Sequence, residues 1–334
     1  MSTFAMTGAD PAVLVHHMAF YGLADILETS GITDLRMRWD HSTPTLDGDG
    51  LAPDVVDAAV RAHVTGRSPW VGQSLGADKR GVMSPRLTVL KTDEAWSELR
   101  DARHAVLQQL TDQHAWSDLR YLAALGEPAY WSRNIRGEVL QDDGASRWEM
   151  QPRNRGSEFV GNRLRPLIDK LAARPAGTIA GGLDGSSVRD ELGGKPDSVS
   201  ATGLTTPGPV DNAVVWCALW AIGQFPLAPR INHTALTSGH LGRPRREWFT
   251  TPYWTTPWRP ARLRTILAAR QLSTAACAGL PDLADPLAVR AAQTWLHARG
   301  ADAVARFPIG RFGSDNAPER RALRAELLPT ATPR

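Results

Sequence analysis

Pro209-Val-Asp-Asn-Ala-Val-Val-Trp-Cys-Ala-Leu-Trp-Ala-Ile-Gly-Gln-Phe225 is apolar nearly all round, with Asp211 near its start. A helical segment without a polar stripe has no solvated face, so this stretch predicts a helix buried inside the protein. Upstream of it, residues 177–208 are rich in Gly, Ser, Thr and Pro. That composition breaks regular structure and reads as a long irregular connection or hinge. The chain then divides near residue 205, into a mixed α/β lobe with basic loops over 1–205 and a mostly helical lobe with an Arg/Trp-rich segment over 206–334. The expected fold class is α+β.

In the first lobe, Asp10-Pro11 stands before Val13, Leu14, Met18, Tyr21, Ile26 and Leu27, the pattern of an N-capped helix with proline at its first position, ending at Gly31. Leu35, Met37 and Trp39 alternate with Arg36 and Arg38, as in a strand with an exposed basic face. Residues 43–50 read as a turn and 53–64 as a second helix. Trp96, Leu99, Val106, Leu110, Trp116, Leu119 and Leu122 keep a helical period across two helices parted near Thr111-Asp112. Further on, 286–300 reads as a helix, Ala303 to Ile309 as a closing strand and 317–328 as a charged terminal helix.

The chain has 334 residues, 42% hydrophobic and 22% charged, enough to bury a large core in one multi-lobed domain or two. Its formal charge is +3, carried almost wholly by arginine, since lysine occurs only at 79, 91, 170 and 195. Cys217 and Cys277 sit in apolar contexts without metal-ligand spacing, as buried thiols of a reducing compartment do. No secretory signal pattern and no 18-residue apolar stretch is present. The expectation is a cytoplasmic protein that does not enter a membrane.

Charge is most one-sided between residues 230 and 270, where eight arginines (230, 243, 245, 246, 259, 262, 264 and 270) face one acid, Glu247. Trp248, Phe249, Tyr253, Trp254 and Trp258 lie among them. Arginine offers a planar, always-charged fork for phosphate and aromatic faces stack on bases, so the pairing points to a nucleic-acid surface. Arg262, Arg264 and Arg270 accompany Leu263, Ile266 and Leu267 at helical spacing and also fit the solvated face of an amphipathic helix. Arg243, Arg245 and Arg246 sit among Gly239, Gly242 and Pro244, a basic loop with no apolar face to flank. Lys79 and Arg80 mark a second basic loop. Gln151, Arg153, Asn154, Arg155, Asn162 and Arg163 carry the forked side chains that base edges demand. Among twelve tryptophans, Trp216 and Trp220 read as core, and the Trp248 to Trp258 group reads as a packing strap in preference to a base-stacking platform.

Catalytic patterns are weak. Gly72-Gln-Ser74-Leu-Gly76 matches a nucleophile elbow, but Gly81 breaks the helix that should follow the serine. No phosphate-binding loop or dinucleotide fingerprint occurs, and the basic segment lacks the clustered carboxylates of a two-metal nuclease. A non-catalytic binding role without cofactor or metal is therefore expected, with a serine hydrolase at Ser74 and a protein-only scaffold for an acidic partner as rival readings.

Several segments together resemble one family: Asp10-Pro11 leading into Ala19-Phe-Tyr-Gly-Leu-Ala-Asp-Ile-Leu27; Gly203 through Trp220; Trp248-Phe-Thr-Thr-Pro-Tyr-Trp-Thr-Thr-Pro-Trp258 with the Leu/Arg helix behind it; and Gly300 to Phe307. The chain is similar to the small, divergent large-subunit-like proteins of type I CRISPR surveillance (Cascade) complexes, particularly the I-G group, formerly I-U. The resemblance implies a subunit that assembles with Cascade backbone subunits on a CRISPR RNA, contacts target double-stranded DNA beside the protospacer and helps recruit a helicase-nuclease. In such complexes base pairing reads sequence, while protein supplies phosphate contacts and a few base-edge contacts. By that analogy Lys79, Arg80, Arg243, Arg245 and Arg246 would meet the backbone, and Gln151, Arg153, Asn154, Arg155, Asn162 and Arg163 the duplex edge.

Overall fold

A computed structural model describes residues 2–75, 80–87, 90, 92–148, 159–193, 202–205, 208–243, 246–314 and 317–331. Strand β1 (Ser2–Ala5) leads through a turn into helix α1 (Leu14–Thr29). The helix starts later than Asp10-Pro11 predicts. Asp10 accepts from the Ala12 N–H (2.8 Å) and donates its own N–H to His16 Nδ1 (2.8 Å), closing a separate turn ahead of the helix. Strands β2 (Arg36–Asp40) and β3 (Thr43–Gly48) form an antiparallel hairpin, and β1 adds to the free edge of β3. Most of the segment read as a turn is thus strand, and the turn itself is His41-Ser42, where His41 takes a φ of 54°.

Helices α2 (Pro53–Gly66) and α3 (Ser68–Val71) precede a two-residue strand pair, β4 (Ser74–Leu75) with β5 (Arg80–Gly81). Helices α4 (Asp93–Asp112) and α5 (Trp116–Leu125) follow with the break where the helical period placed it. Thr92 starts α4 by accepting from the Ala95 N–H through its hydroxyl (3.2 Å). A π-helical turn, Val160–Leu164, runs into α6 (Arg165–Ala172). Helix α7 (Thr178–Asp184) then forms inside the stretch expected to be irregular. Its start is held from outside, because buried Asp57 of α2 accepts from the N–H groups of Ile179 (2.8 Å) and Ala180 (3.3 Å). A cap supplied from a distant helix leaves no local signal in the sequence.

Helix α8 (Asn212–Trp220) is the buried helix read from the sequence, with all its residues inside and Asp211 accepting from the Ala213 N–H (2.7 Å). It lies against α1 so closely that a Cβ on Gly22 would stand 1.9 Å from the Cys217 carbonyl oxygen. Only glycine permits that approach.

The remaining elements are β6 (Leu227–Ala228), β7 (Leu236–Thr237), β8 (His240–Arg243), β9 (Arg246–Tyr253), α9 (Pro260–Ala268), α10 (Arg270–Ala275), α11 (Pro286–His297), β10 (Ala303–Ser314), β11 (Ala317–Ala322) and β12 (Glu326–Pro329). The fold class is α+β, with strands and helices both present in quantity. The distribution differs from a mostly helical second half, because 206–334 contains a five-stranded sheet in the order β11-β10-β9-β8, with β12 also paired to β10. Within 317–328, where a helix was expected, lie β11 and the start of β12. Their Ala, Glu, Arg and Leu content favours a helix locally, but antiparallel pairing to the long β10 decides the outcome.

Trp254 and Trp258 are buried and stack at 4.4 Å, and Trp254 Nε1 donates to the Met37 carbonyl (2.8 Å). The strap reading holds for these two, which fasten the segment after β9 to β2. Among the described residues no helix is long and apolar enough to cross a membrane.

Candidate nucleic-acid interface

Of the three arginines read as a loop, Arg243 and Arg246 belong to a hairpin. Arg243 ends β8, Arg246 opens β9, and the two are Cα partners on the last rung. Arg245 lies outside the described residues. Gly242 makes the hairpin possible: its φ is 103°, and a Cβ there would stand 2.1 Å from the Arg246 carbonyl oxygen. Directly opposed residues of an antiparallel pair share a face, and side chains alternate along each strand. Arg243, Arg246 and Trp248 therefore share one face of the sheet. Pro308 pairs with Trp248 and Gly310 with Arg321, which brings Phe312 and Arg321 of the β10–β11 hairpin to that same face.

On this face each aromatic ring carries a guanidinium. Arg246 lies over Trp248 at 5.5 Å and Arg321 over Phe312 at 5.0 Å. Phe312 is 42% exposed, Trp248 half-buried and Arg243 exposed. Two acids temper the charge: Asp282 accepts from Arg246 Nη1 at 2.7 Å, and Glu319 pairs with Arg321.

The opposite face holds the two hairpins in register. Glu247, 7% exposed, receives Arg147 Nη2 at 3.3 Å on both carboxylate oxygens, with Arg320 Nε and His240 Nε2 each 3.5 Å from Oε2. Burial alone would raise the Glu247 carboxyl, but the His240 imidazole and the charges of Arg320 and Arg147 outweigh it and hold the pKa at about 2. His240 is itself pushed down by burial, against the pull of Glu247. Arg320 Nη2 further donates to the Arg147 carbonyl (3.0 Å). These two arginines brace the hairpins, Arg243 and Arg246 are exposed on the outer face, and Arg321 lies on that face with its side chain 20% exposed.

Among the described residues, the other expected site residues do not join this face. Asn162 and Arg163 sit on the π-helical turn ahead of α6 and line a separate cleft of about 200 Å³ with Asp190 and Asn212. Arg80 opens β5, its backbone paired with Leu75. Lys79, Gln151, Arg153, Asn154 and Arg155 lie outside the described residues. Arg264 of α9 is engaged by Glu28 (2.6 Å) and Asp25 (3.7 Å), while Leu263, Ile266 and Leu267 are buried, as an amphipathic helix requires. Ser74 is exposed on a two-residue strand paired to Gly81, away from any strand-to-helix turn. Among the described residues no group of three or more His, Cys, Asp and Glu side chains is gathered in a way that would hold a metal.

Arg321 and Phe312 were not singled out by sequence reasoning. Their signal was the turn-forming Gly313-Ser-Asp-Asn316 between Ala303 to Phe312 and Ala317 to Ala322, which marks a hairpin. No family model matches the chain, and no curated protein matches its sequence.

Proposed function

We propose that this chain is a non-catalytic nucleic-acid-binding subunit of a type I CRISPR RNA-guided antiviral complex. The observation that carries the binding role is the outward face of the two hairpins, where Arg243, Arg246 and Arg321 stand beside Trp248 and Phe312. Guanidinium groups and aromatic rings interleaved on a braced sheet suit a strand whose phosphates pair with arginine and whose bases stack on the rings. The four segments similar to the I-G large-subunit-like proteins support the narrower reading, in which the strand belongs to CRISPR RNA or to target DNA beside the protospacer. Backbone subunits and a helicase-nuclease are the protein partners that this reading brings with it.

The test is to purify the tagged protein from its own host at native expression level and sequence the RNA that accompanies it. Repeat-derived RNA of one uniform length, with co-purifying proteins that fall away on nuclease treatment, is the expected result. Protein free of nucleic acid, or partners that survive nuclease treatment, would contradict the proposal and favour a protein-only scaffold.

A further inference from the structure

Away from the hairpins, a second cluster of arginines surrounds an open cleft. Met37 and Trp258 form an isolated antiparallel bridge, exchanging N–H···O bonds of 2.8 and 2.9 Å. Their neighbours Arg36 and Arg259 consequently stand across from each other, an arrangement of like charges that costs stability unless compensated. Asp34 compensates in part, accepting from Arg36 Nη2 at 2.8 Å and Arg259 Nη2 at 3.1 Å. Arg262, exposed in the first turn of α9, adds a third guanidinium. These arginines, with Pro257 and Ala261, line a cleft of about 400 Å³.

Three arginines against one aspartate leave two positive charges on the cleft. It opens at the start of α9, whose first turn carries no acid and whose N-cap makes no side-chain hydrogen bond. Two further donors lack a use within the described residues. Arg36 Nη1 is shielded from solvent and makes no hydrogen bond there, and neither does the indole Nε1 of Trp258, a residue only 1% exposed. A methyl group built on Gly300 would stand 3.2 Å from Thr256 Oγ1, 3.3 Å from Trp258 Nε1 and 3.9 Å from Arg262 Nη1, so Gly300 brings the Trp258 indole near Arg262, which lines the cleft.

We propose that this cleft binds a tetrahedral dianion, the phosphate group of a phosphomonoester. A phosphomonoester carries a charge of about −2 when fully ionised, matching the excess of two, whereas a phosphodiester carries only half as much. Guanidinium forks take phosphate oxygens bidentately, and the ligand would relieve the repulsion between Arg36, Arg259 and Arg262. The site shares no residue with the hairpin face and does not rest on the proposed function.

The test is calorimetric titration of the whole protein with ribose 5-phosphate. One saturable site is expected, tightening as pH rises through about 6, where the monoester takes its second charge. Arg262→Ala, at an exposed position, and Arg36→Gln should each weaken binding roughly ten-fold, the scale of one lost charge-assisted hydrogen bond. The Arg243→Ala/Arg246→Ala variant should bind ribose 5-phosphate as the unaltered protein does, whatever its affinity for nucleic acid. A 5′-phosphorylated oligonucleotide binding more tightly than its 5′-hydroxyl counterpart would support the site with a strand end as its source; equal binding beside a positive ribose 5-phosphate titration would support it with a small phosphate ester. Absence of saturable binding, binding indifferent to pH, or binding unchanged by both Arg262→Ala and Arg36→Gln would overturn it.

Discussion

The guanidinium of Arg246 is held between two partners, 5.5 Å above the Trp248 ring and 2.7 Å from the Asp282 carboxylate. Both Arg246 and Asp282 are 54% exposed, so their ion pair contributes little to stability. Its consequence is for binding, since Asp282 neutralises one of the charges that a phosphate would meet. Asp282→Ala should raise affinity for single-stranded nucleic acid by roughly two- to five-fold at low salt while leaving thermal stability nearly unchanged. Fluorescence anisotropy with a labelled oligonucleotide measures this, and unchanged or weaker binding would count against Arg246 as a contact.

Trp248 and Trp258 should separate binding from packing. Trp258 is 1% exposed and stacked on Trp254, so Trp258→Ala should cost about 3–5 kcal/mol of stability. Trp248 is half-buried on the basic face, and Trp248→Ala should weaken single-strand binding about ten-fold, the scale of one lost base stack, at a smaller cost in stability. Denaturant melts and binding titrations on both variants decide the point. Equal destabilisation with intact binding would make Trp248 a packing residue as well.

Acid should loosen the brace behind the hairpins. Glu247 is held at about 2, below its ordinary 4.5. A depressed carboxyl contributes stability that is present above the unfolded value and lost as pH falls from about 4.5 through about 2. Burial also holds His17 at about 3 and His63 well below 6.5, so every variant that retains them loses stability below pH 6.5 for that reason. The difference between the unaltered protein and Glu247→Gln cancels His17 and His63 and reads the carboxylate together with its His240 contact. Glu247→Gln should be less stable at pH 7 by about 2–4 kcal/mol, with the gap narrowing below pH 4.5. Urea melts across that range check it, and a gap independent of pH would contradict the assignment.

Asp25 of α1 is 2% exposed and accepts from Trp220 Nε1 at 3.0 Å, with the Arg120 and Arg264 guanidinium groups alongside. Arg120 and Arg264 are 37% and 28% exposed and Arg264 also meets Glu28, so the main loss on removing Asp25 is the acceptor of the buried Trp220 indole. Asp25→Ala should lower stability by about 2 kcal/mol without altering the nucleic-acid affinity of the folded protein. Calorimetry and binding at a temperature well below the transition test both halves.

The sequence revealed what local periodicity encodes. The nearly all-apolar 209–225 segment contains the buried α8, and the two helices of 93–125 break where their pattern does. It concealed what distant partners impose. Helix α7 depends on Asp57 of α2, and β11 exists because β10 pairs with it, against the helical leaning of its own residues. The same limit applied to the candidate site. Arg243 and Arg246 were visible as a charge run, but their alliance with Arg321 and Phe312 is made by strand register between segments some 70 residues apart.

The most direct measurement is the salt dependence of single-stranded oligonucleotide binding by the unaltered protein and by the Arg243→Ala/Arg246→Ala/Arg321→Ala variant. Each phosphate contact contributes about 0.7 to the slope of log affinity against log salt for a single strand. The folded variant should show a slope shallower by about 2 and an affinity at low salt lower by roughly two orders of magnitude. A folded variant with the slope and affinity of the unaltered protein would contradict it and remove the hairpin face from the binding site.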